Sequence, residues 1–270
     1  MTGPGCSSAP PPWRIENRKA GRSGISEIVY LMASRKAKIT VVSAAVILLA
    51  GLSVIMAFHI NARSPNHSQA VGDLTVTVEC IPISESTPEF KFKTIPRPNP
   101  AKTASSAVFS LLTGGQDFNG ANLQILKGGS LPYGPDVPDQ NFFFGDGSFG
   151  GRILVDLQEA IDIGEINSYS WHTSNRAPQL YILYASDGLA AGFNPQPDRG
   201  VDLVAAGWKL LANVDTRPKT SERGGQYGVS IASRSGVIGH FRYLLFDCKR
   251  TEGFDRWGNT FYSEIDIIPK

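Results

Sequence analysis

Several residue types are scarce in this chain of 270 residues, and each scarcity excludes a class of protein. Only three cysteines are present, too few for a small scaffold built on disulfides. Charged residues make up 19% and hydrophobic residues 41% of the chain, which excludes general disorder. Beyond residue 60, no stretch longer than a turn or two keeps a helical period of apolar residues, which argues against an α/β enzyme.

An excess of positive charge is also missing from most of the chain. Seven of the 26 basic residues but only two of the 24 acidic residues precede Ile39, so the remainder has a net charge of −3. Proteins that bind nucleic acids carry basic surfaces that neutralise phosphates. The sequence therefore predicts no nucleic-acid partner.

One long hydrophobic run is present, Ile39–Ile60, and it contains no Asp, Glu, Lys or Arg. As a helix it would span about 33 Å, close to the thickness of a bilayer core. A buried core helix of this length would show a polar face, so we interpret the run as a transmembrane segment. Arg35, Lys36 and Lys38 precede it, and the positive-inside rule places the chain from about residue 61 outside the cytoplasm.

Two fates of this segment stay open. It can remain as a single-pass anchor behind a disordered basic cytoplasmic tail, residues 1–38, or it can be a signal peptide whose removal leaves a secreted protein. Met32 begins a short basic stretch followed by the apolar run, so it is a candidate for the first residue of the translated chain. Two features favour the anchor. The apolar run is longer than that of a usual signal peptide, and the first small-x-small cleavage site after it, Ser68–Ala70, lies far downstream.

The rest of the chain divides at about residue 105. Residues 61–105 contain five prolines after position 81 and one strand candidate, Val76–Ile81, which predicts a proline-rich linker with a first strand. Residues 106–270 hold short alternating or β-branched runs separated by turn dipeptides, which predicts an all-β, antiparallel sandwich. The predicted strands are Val108–Leu112, Asn122–Leu126, Arg152–Leu157, Ile163–Trp171, Gln179–Ala185, Lys209–Val214, Tyr227–Ile231, Phe241–Asp247 and Tyr262–Ile268.

Two long insertions without strand signals, Lys127–Gly151 and Gly188–Gly207, are rich in Gly, Pro, Asp and aromatic residues. Loops cluster at the ends of a sandwich, where recognition usually takes place. Within the first insertion, Phe142–Phe144 is a buried strand or an exposed tip, and burial is favoured. Gly145–Gly150 fits the pattern GxGxxG, but a strand follows it where a dinucleotide site needs a helix.

Two segments carry a family pattern. In residues 151–188, a strand ending in Val155-Asp156-Leu157 precedes an isoleucine-rich strand and the run Tyr-x-x-Tyr-x-Ser-Asp-Gly. Residues 240–268 look like a final hairpin with an Arg-Tyr-Leu strand and a closing Ser-Glu-Ile strand. Together they resemble the galactose-binding-like superfamily of discoidin and coagulation factor 5/8 type C domains, over roughly residues 105–268. The resemblance implies an eight-stranded jelly roll, usually non-catalytic, that often binds sugars or other cell-surface groups.

Cys80 and Cys248 are the two cysteines after the hydrophobic run, and their number alone leaves a disulfide and two buried thiols both open. The resemblance favours the disulfide, because the termini of these domains meet and are often bridged. It also implies a structural calcium ion in some members, held by loop carbonyls and an Asp; no other cofactor is expected. The acidic candidates, which fit no EF-hand spacing and are typical of turns, are Asp136, Asp139, Asp146 and Asp156.

The loop that follows the strand Ile163–Trp171 combines an indole, an imidazole, an amide and a guanidinium, groups that can stack on a sugar ring and bond its hydroxyls. The alternative is that Trp171 packs in the core and Arg176 pairs with a carboxylate. The candidate ligand-binding residues are Trp171, His172, Asn175, Arg176, Tyr133, Asp136 and Asn141.

The sequence thus predicts a membrane-tethered, non-catalytic module outside the cytoplasm that binds carbohydrate or another component of the cell envelope. Two alternatives are a structural or adhesion protein that makes protein contacts and a small glycan hydrolase that uses two acids. No serine-hydrolase elbow is present, and the histidines show no zinc spacing.

Overall fold

The structure is a computed structural model that describes residues 68–99, 106–128, 130–253 and 256–270. The predicted tail, residues 1–38, and the predicted membrane segment, Ile39–Ile60, lie outside these residues. In the part of the chain that is described, no helix is long and apolar enough to cross a membrane.

The regular structure of the described residues consists of β-strands and short 3-10 turns, with no α-helix among them. All strand pairs are antiparallel, which confirms the prediction of an all-β antiparallel sandwich. The 3-10 turns are Ile83–Glu85, Leu123–Lys127 and Pro138–Gln140. The strands are β1 (Gln69–Ala70), β2 (Leu74–Pro82), β3 (Val108–Thr113), β4 (Gly150–His172), β5 (Leu180–Ser186), β6 (Lys209–Asp215), β7 (Gly225–Ser233), β8 (Gly239–Lys249) and β9 (Tyr262–Pro269).

β4 belongs to both layers of the sandwich because it is 23 residues long and bends in its middle. Its first part, Gly150–Asp156, pairs with β8 and β3, and its last part, Glu165–His172, pairs with β7 and β9. One sheet therefore folds into two facing layers: β1-β6-β5-β8-β4-β3 forms the first layer and β2-β7-β4-β9 the second.

The bend in β4 lies between Asp156 and Ile161, where the register with β8 shifts. Gln158 has a φ of +70° there, and its backbone N–H donates to the Asp156 carboxylate at 2.8 Å. Arg242 of β8 holds that carboxylate at 2.8 Å and 3.0 Å. The prediction of two separate strands at Arg152–Leu157 and Ile163–Trp171 is corrected, because a bulge carries one strand across the polar interruption.

The core lies between the two layers, where alternate residues of the strands meet. Ile153 and Val155 from the first part of β4 pack with Ile166 from its last part and with Ile265 and Ile267 of β9. Each of these side chains is at most 1% exposed. Burying a side chain of this size stabilises the fold by about 1.5–3 kcal/mol.

Asn122–Leu126, a predicted strand, forms the 3-10 turn Leu123–Lys127 instead. The Asn122 side chain accepts the N–H of Gln124 at 2.9 Å, which caps the turn. Leu123 and Leu126 are both buried, and a spacing of three residues puts them on one side of a 3-10 turn. Short apolar runs of this kind fit a strand and a helical turn equally well.

The outer face of the second layer is covered by a segment that we call the strap, residues 86–99. Phe90 and Ile95 of the strap pack on Tyr169 and Trp171 of β4. The Phe90 and Trp171 rings are 5.6 Å apart in an edge-to-face arrangement. In this way part of the predicted proline-rich linker packs on the sandwich.

Glu79 of β2 anchors the strap. Its carboxylate accepts the backbone N–H groups of Lys93 and Thr94 at 2.7 Å and of Ile95 at 3.2 Å. Burial works against the charge on this carboxylate, but the hydrogen bonds outweigh burial and lower its pKa below the ordinary value of 4.5. The strap is thus tied to the edge strand by an ionised side chain.

The insertion Gly188–Gly207 covers the outer face of the first layer. Phe193 packs on Tyr243 of β8 with ring centroids 5.1 Å apart. The buried guanidinium of Arg152 holds the loop, since it donates to the carbonyls of Pro197 at 3.1 Å and Asp198 at 2.5 Å. The insertion therefore acts as a cover for the sheet.

The expected disulfide is not formed, because Cys80 and Cys248 are both free thiols. Cys80 is exposed on β2 at the edge of the second layer, whereas Cys248 is buried on β8 in the first layer. The Cys80 thiol lies beside Tyr227 of β7, whereas the Cys248 thiol lies beside Tyr262 of β9. Burial raises the pKa of the Cys248 thiol to about 12.

Candidate functional site

A cleft of about 370 Å³ opens at the end of the sandwich where β3 and β8 end and β9 begins. Three loops and the residues just after β4 line it. Loops at the end of a sandwich are free to vary in chemistry because the strands beneath them carry the fold.

Two stacked phenylalanines and an arginine form the floor of the cleft. The rings of Phe143 and Phe261 are 4.1 Å apart and nearly parallel, at 10°. The Arg176 guanidinium lies 4.0 Å from the Phe261 ring centre and 4.5 Å from that of Phe143. Its Nε also donates to the Asn259 carbonyl at 3.2 Å. Cation–π contacts and this hydrogen bond fix the guanidinium in place.

His172, the last residue of β4, lies beside this floor. Its ring is 4.5 Å from that of Phe261, and its Nε2 is 3.6 Å from an oxygen of Asp136. Nδ1 accepts the backbone N–H of Ser174 at 3.1 Å, so a neutral ring carries its hydrogen on Nε2. Burial and the charge of Arg176 lower the pKa of His172 to about 4 despite Asp136, so the ring is neutral at neutral pH.

Three aspartates stand in the walls of the cleft. Asp117 is buried, and its carboxylate accepts the backbone N–H and the side-chain amide of Asn119 at 3.0 Å and 3.1 Å. Asp139 belongs to the 3-10 turn Pro138–Gln140 and is exposed. The Asp136 side chain is 61% exposed. These walls present hydrogen-bond acceptors to a ligand.

Exposed aromatic residues border the cleft. Trp257 lines it and is 45% exposed. Phe118, between the cleft residues Asp117 and Asn119, is 92% exposed. An exposed aromatic face is a packing surface for the C–H groups of a ligand ring.

Two buried asparagines brace the loops around the cleft. Asn141 donates to the Val137 carbonyl at 2.8 Å and accepts from Ser263 of β9 at 2.7 Å. Asn259 donates to the Gly145 carbonyl at 3.2 Å and to the Ser148 hydroxyl at 3.0 Å. The cleft is therefore held in shape by the protein itself, which lowers the entropy cost of binding a ligand.

Three of the predicted ligand-binding residues meet here, because Asp136 and Arg176 line the cleft and His172 contacts both its floor and its wall. Asn175 precedes Arg176 in the same loop, and its carbonyl accepts from Thr251 at 2.7 Å. Their binding role remains a prediction.

The other predicted residues have different surroundings. Trp171 is 3% exposed beneath the strap, and Asn141 is fully buried as a loop brace. Tyr133 is 72% exposed, and its backbone N–H donates to Gln140 at 3.2 Å, in the loop that carries Asp136 and Asp139. Burial of Trp171 agrees with the alternative weighed for it in the sequence.

Sequence analysis missed Asp117, Phe143, Trp257 and Phe261 as parts of the cleft. They come from loops that are far apart in the chain, so no local pattern links them. One signal was available. Trp257 lies in a polar loop between two predicted strands, where a tryptophan is not needed to pack a sheet face, and this placement suggests a binding role.

Three of the four aspartates considered as calcium ligands have other partners. Asp156 pairs with Arg242, Asp146 pairs with Arg256, and Asp136 faces His172. Among the residues that the structure describes, no three His, Cys, Asp or Glu side chains are grouped to hold a metal ion. A structural calcium ion held by loop carbonyls and an Asp stays a prediction.

Comparison with known proteins gives matches to solved structures only; no family model and no curated protein matches the chain. One similar structure is CBM32-1 from a family 31 glycoside hydrolase of Clostridium perfringens. It is 14% identical with a TM-score of 0.37, and the match covers 62% of this chain and 96% of that one.

Two further matches are also family 32 modules. CBM32-2 of a family 31 hydrolase, bound to GalNAc, is 11% identical with a TM-score of 0.37, covering 61% of this chain and 97% of that one. The family 32 module of C. perfringens NanJ, in complex with galactose, is 9% identical with a TM-score of 0.26. The match covers 74% of this chain and 98% of that one.

Proposed function

We propose that the protein is a non-catalytic carbohydrate-binding module and that the cleft is its binding site. The observation that supports this most is the exposed indole of Trp257 beside the fixed guanidinium of Arg176 and the carboxylates of the walls. Indoles pack on the apolar face of a sugar ring, while guanidinium and carboxylate groups bond its hydroxyls. The galactose and GalNAc in the matched modules belong to the same ligand class.

A glycan array tests this proposal with the full chain purified in mild detergent. We expect selective binding to a subset of glycans, envelope polysaccharides among them, without release of product. Trp257→Ala should weaken binding at least about tenfold, because it removes the aromatic platform. Phe149→Ala is the matched control, since Phe149 is 66% exposed but does not line the cleft. Equal losses in both variants would contradict the assignment of the site.

A glycan hydrolase is the second candidate, because three aspartates line one cleft. A glycosidase needs two carboxyl groups across the scissile bond, one of them shielded from water so that it stays protonated. Asp136 is 61% exposed, and Asp117 already accepts two hydrogen bonds from Asn119. This arrangement favours binding over hydrolysis. Product release that Asp136→Asn and Asp139→Asn abolish would reverse that conclusion.

Location and tethering are proposed from the sequence. We propose that Ile39–Ile60 holds the module at a membrane with the sandwich outside the cytoplasm. Tethering would raise the effective concentration of sites whose single contacts with glycans are weak. N-terminal sequencing of the protein from cells, together with membrane fractionation, distinguishes an anchor from a removed signal peptide. If no glycan binds and crosslinking recovers a protein partner, the adhesion alternative is correct instead.

A further inference from the structure

The cleft carries an excess of negative charge. Among the described residues that line it, Asp117, Asp136 and Asp139 are acidic and Arg176 is the one cation, so their formal charge is −2. A cleft with low-dielectric walls concentrates the field of such charges on a bound ligand.

Arg176 is already counted in this net charge of −2, and the other cationic groups near the cleft do not offset it. His172 is neutral at neutral pH, so it leaves the charge of Asp136 in place. Arg256, which lies 5.8 Å from the Trp257 ring, forms an ion pair with Asp146.

The carboxylates also differ from Arg176 in accessibility. Asp136 and Asp139 are exposed on one loop, and both line the same cleft as Trp257. An ammonium group has three donors and no acceptor, which suits a wall made of carboxylates. An acidic sugar would place its own carboxylate against these walls, and like charges repel.

We infer that the cleft selects glycans that carry free amino groups, such as oligomers of glucosamine or galactosamine, over neutral and acidic glycans. This inference rests on the proposed function and goes beyond it by naming the ligand chemistry. Each exposed ion pair contributes about two- to fivefold in affinity, so two carboxylates together give a preference of about four- to twenty-fivefold at low salt. The preference shrinks as salt screens the charges.

The test compares one oligosaccharide in two chemical forms on the unmodified protein. Isothermal titration at about pH 6 measures binding of a glucosamine hexamer, of its N-acetylated counterpart and of an oligogalacturonate. We expect the free amine to bind about four- to twenty-fivefold more tightly than the acetylated form, with a ratio that falls toward one at about 0.5 M salt. Galactosamine oligomers and their acetylated forms serve as a second pair.

Variants then locate the effect. Asp136→Asn with Asp139→Asn should lower the ratio between amine and acetylated forms at least about threefold. Glu159→Gln removes one negative charge at the bend of β4, the opposite end of the sandwich, and should leave the ratio unchanged. Circular dichroism shows whether each variant folds, and the salt dependence of the unmodified protein tests the inference without any substitution.

The possible outcomes separate this inference from the proposed function. Tighter binding of the acetylated or acidic form, or equal binding of all forms, overturns the amine preference and leaves a carbohydrate-binding module. An amine preference that survives the double aspartate substitution overturns the role of these carboxylates. Failure of every glycan to bind overturns the proposed function itself.

Discussion

The buried carboxyl group of Glu264 makes the stability of the fold depend on pH in a way that one substitution can isolate. Glu264 lies on β9 opposite Tyr169 of β4 and is 0% exposed. Burial, and after it the charge of Asp266, raise the pKa of Glu264 from 4.5 to about 9. Between these values the folded chain keeps the proton, while the unfolded chain loses it.

The sign and size of the effect follow from that difference. Because the folded state binds more protons, the free energy of unfolding falls by about 1.4 kcal/mol for each pH unit above 4.5. By pH 7 the accumulated cost is about 3 kcal/mol. Glu264→Gln has the shape of the protonated side chain but cannot ionise. We therefore expect it to match the wild type near pH 4.5 and to exceed it by about 3 kcal/mol at pH 7.

Urea denaturation of both proteins at several pH values between 4.5 and 8.5 measures the difference directly. Other titrating groups cancel when the two curves are subtracted, so the slope of the difference belongs to Glu264. A difference that stays flat with pH would refute the reasoning, since it would mean that the carboxyl ionises equally in both states.

Three further predictions concern the strap, the insertion Gly188–Gly207 and the two cysteine thiols. Glu79→Gln should destabilise the fold by about 1–2 kcal/mol above pH 5 and speed amide exchange at Lys93 and Thr94. Because the folded pKa of Glu79 is lowered, this loss should shrink as pH falls from the ordinary value of 4.5 through the folded pKa. Arg152→Met should leave the carbonyls of residues 197 and 198 without their side-chain donors, so limited proteolysis should cut the insertion there first. An unchanged cleavage pattern would mean that Arg152 does not hold the insertion on the sheet. Mass-mapped alkylation should label Cys80 in the folded protein and Cys248 only after unfolding, whereas a linked pair would show no free thiol at either position.

The strands were predictable from the sequence because alternating, β-branched or aromatic runs stand between turn signals. The structure puts β5, β8 and β9 within two residues of the predicted bounds, although the first six residues of β9 are all buried. The continuity of β4 was not predictable, because Gln158 and Glu159 look like a turn. Only the pairing of β4 with strands of both layers keeps the chain extended there.

The cleft could be predicted only in part. Arg176 and Asp136 were found because they lie in loops whose composition suggests recognition. Trp257 and Phe261 follow β8, far from those loops in the chain, and only the packing of the layers brings them together. The disulfide was expected from the resemblance alone, and the structure has Cys80 and Cys248 as free thiols on different layers.

The strand β4, which both layers share, also determines how the sandwich unfolds. Its first part is the partner of β3 and β8, and its last part is the partner of β7 and β9, so neither layer can lose β4 without exposing the core of the other. The two layers should melt together, as one cooperative transition with coincident far-UV and fluorescence curves.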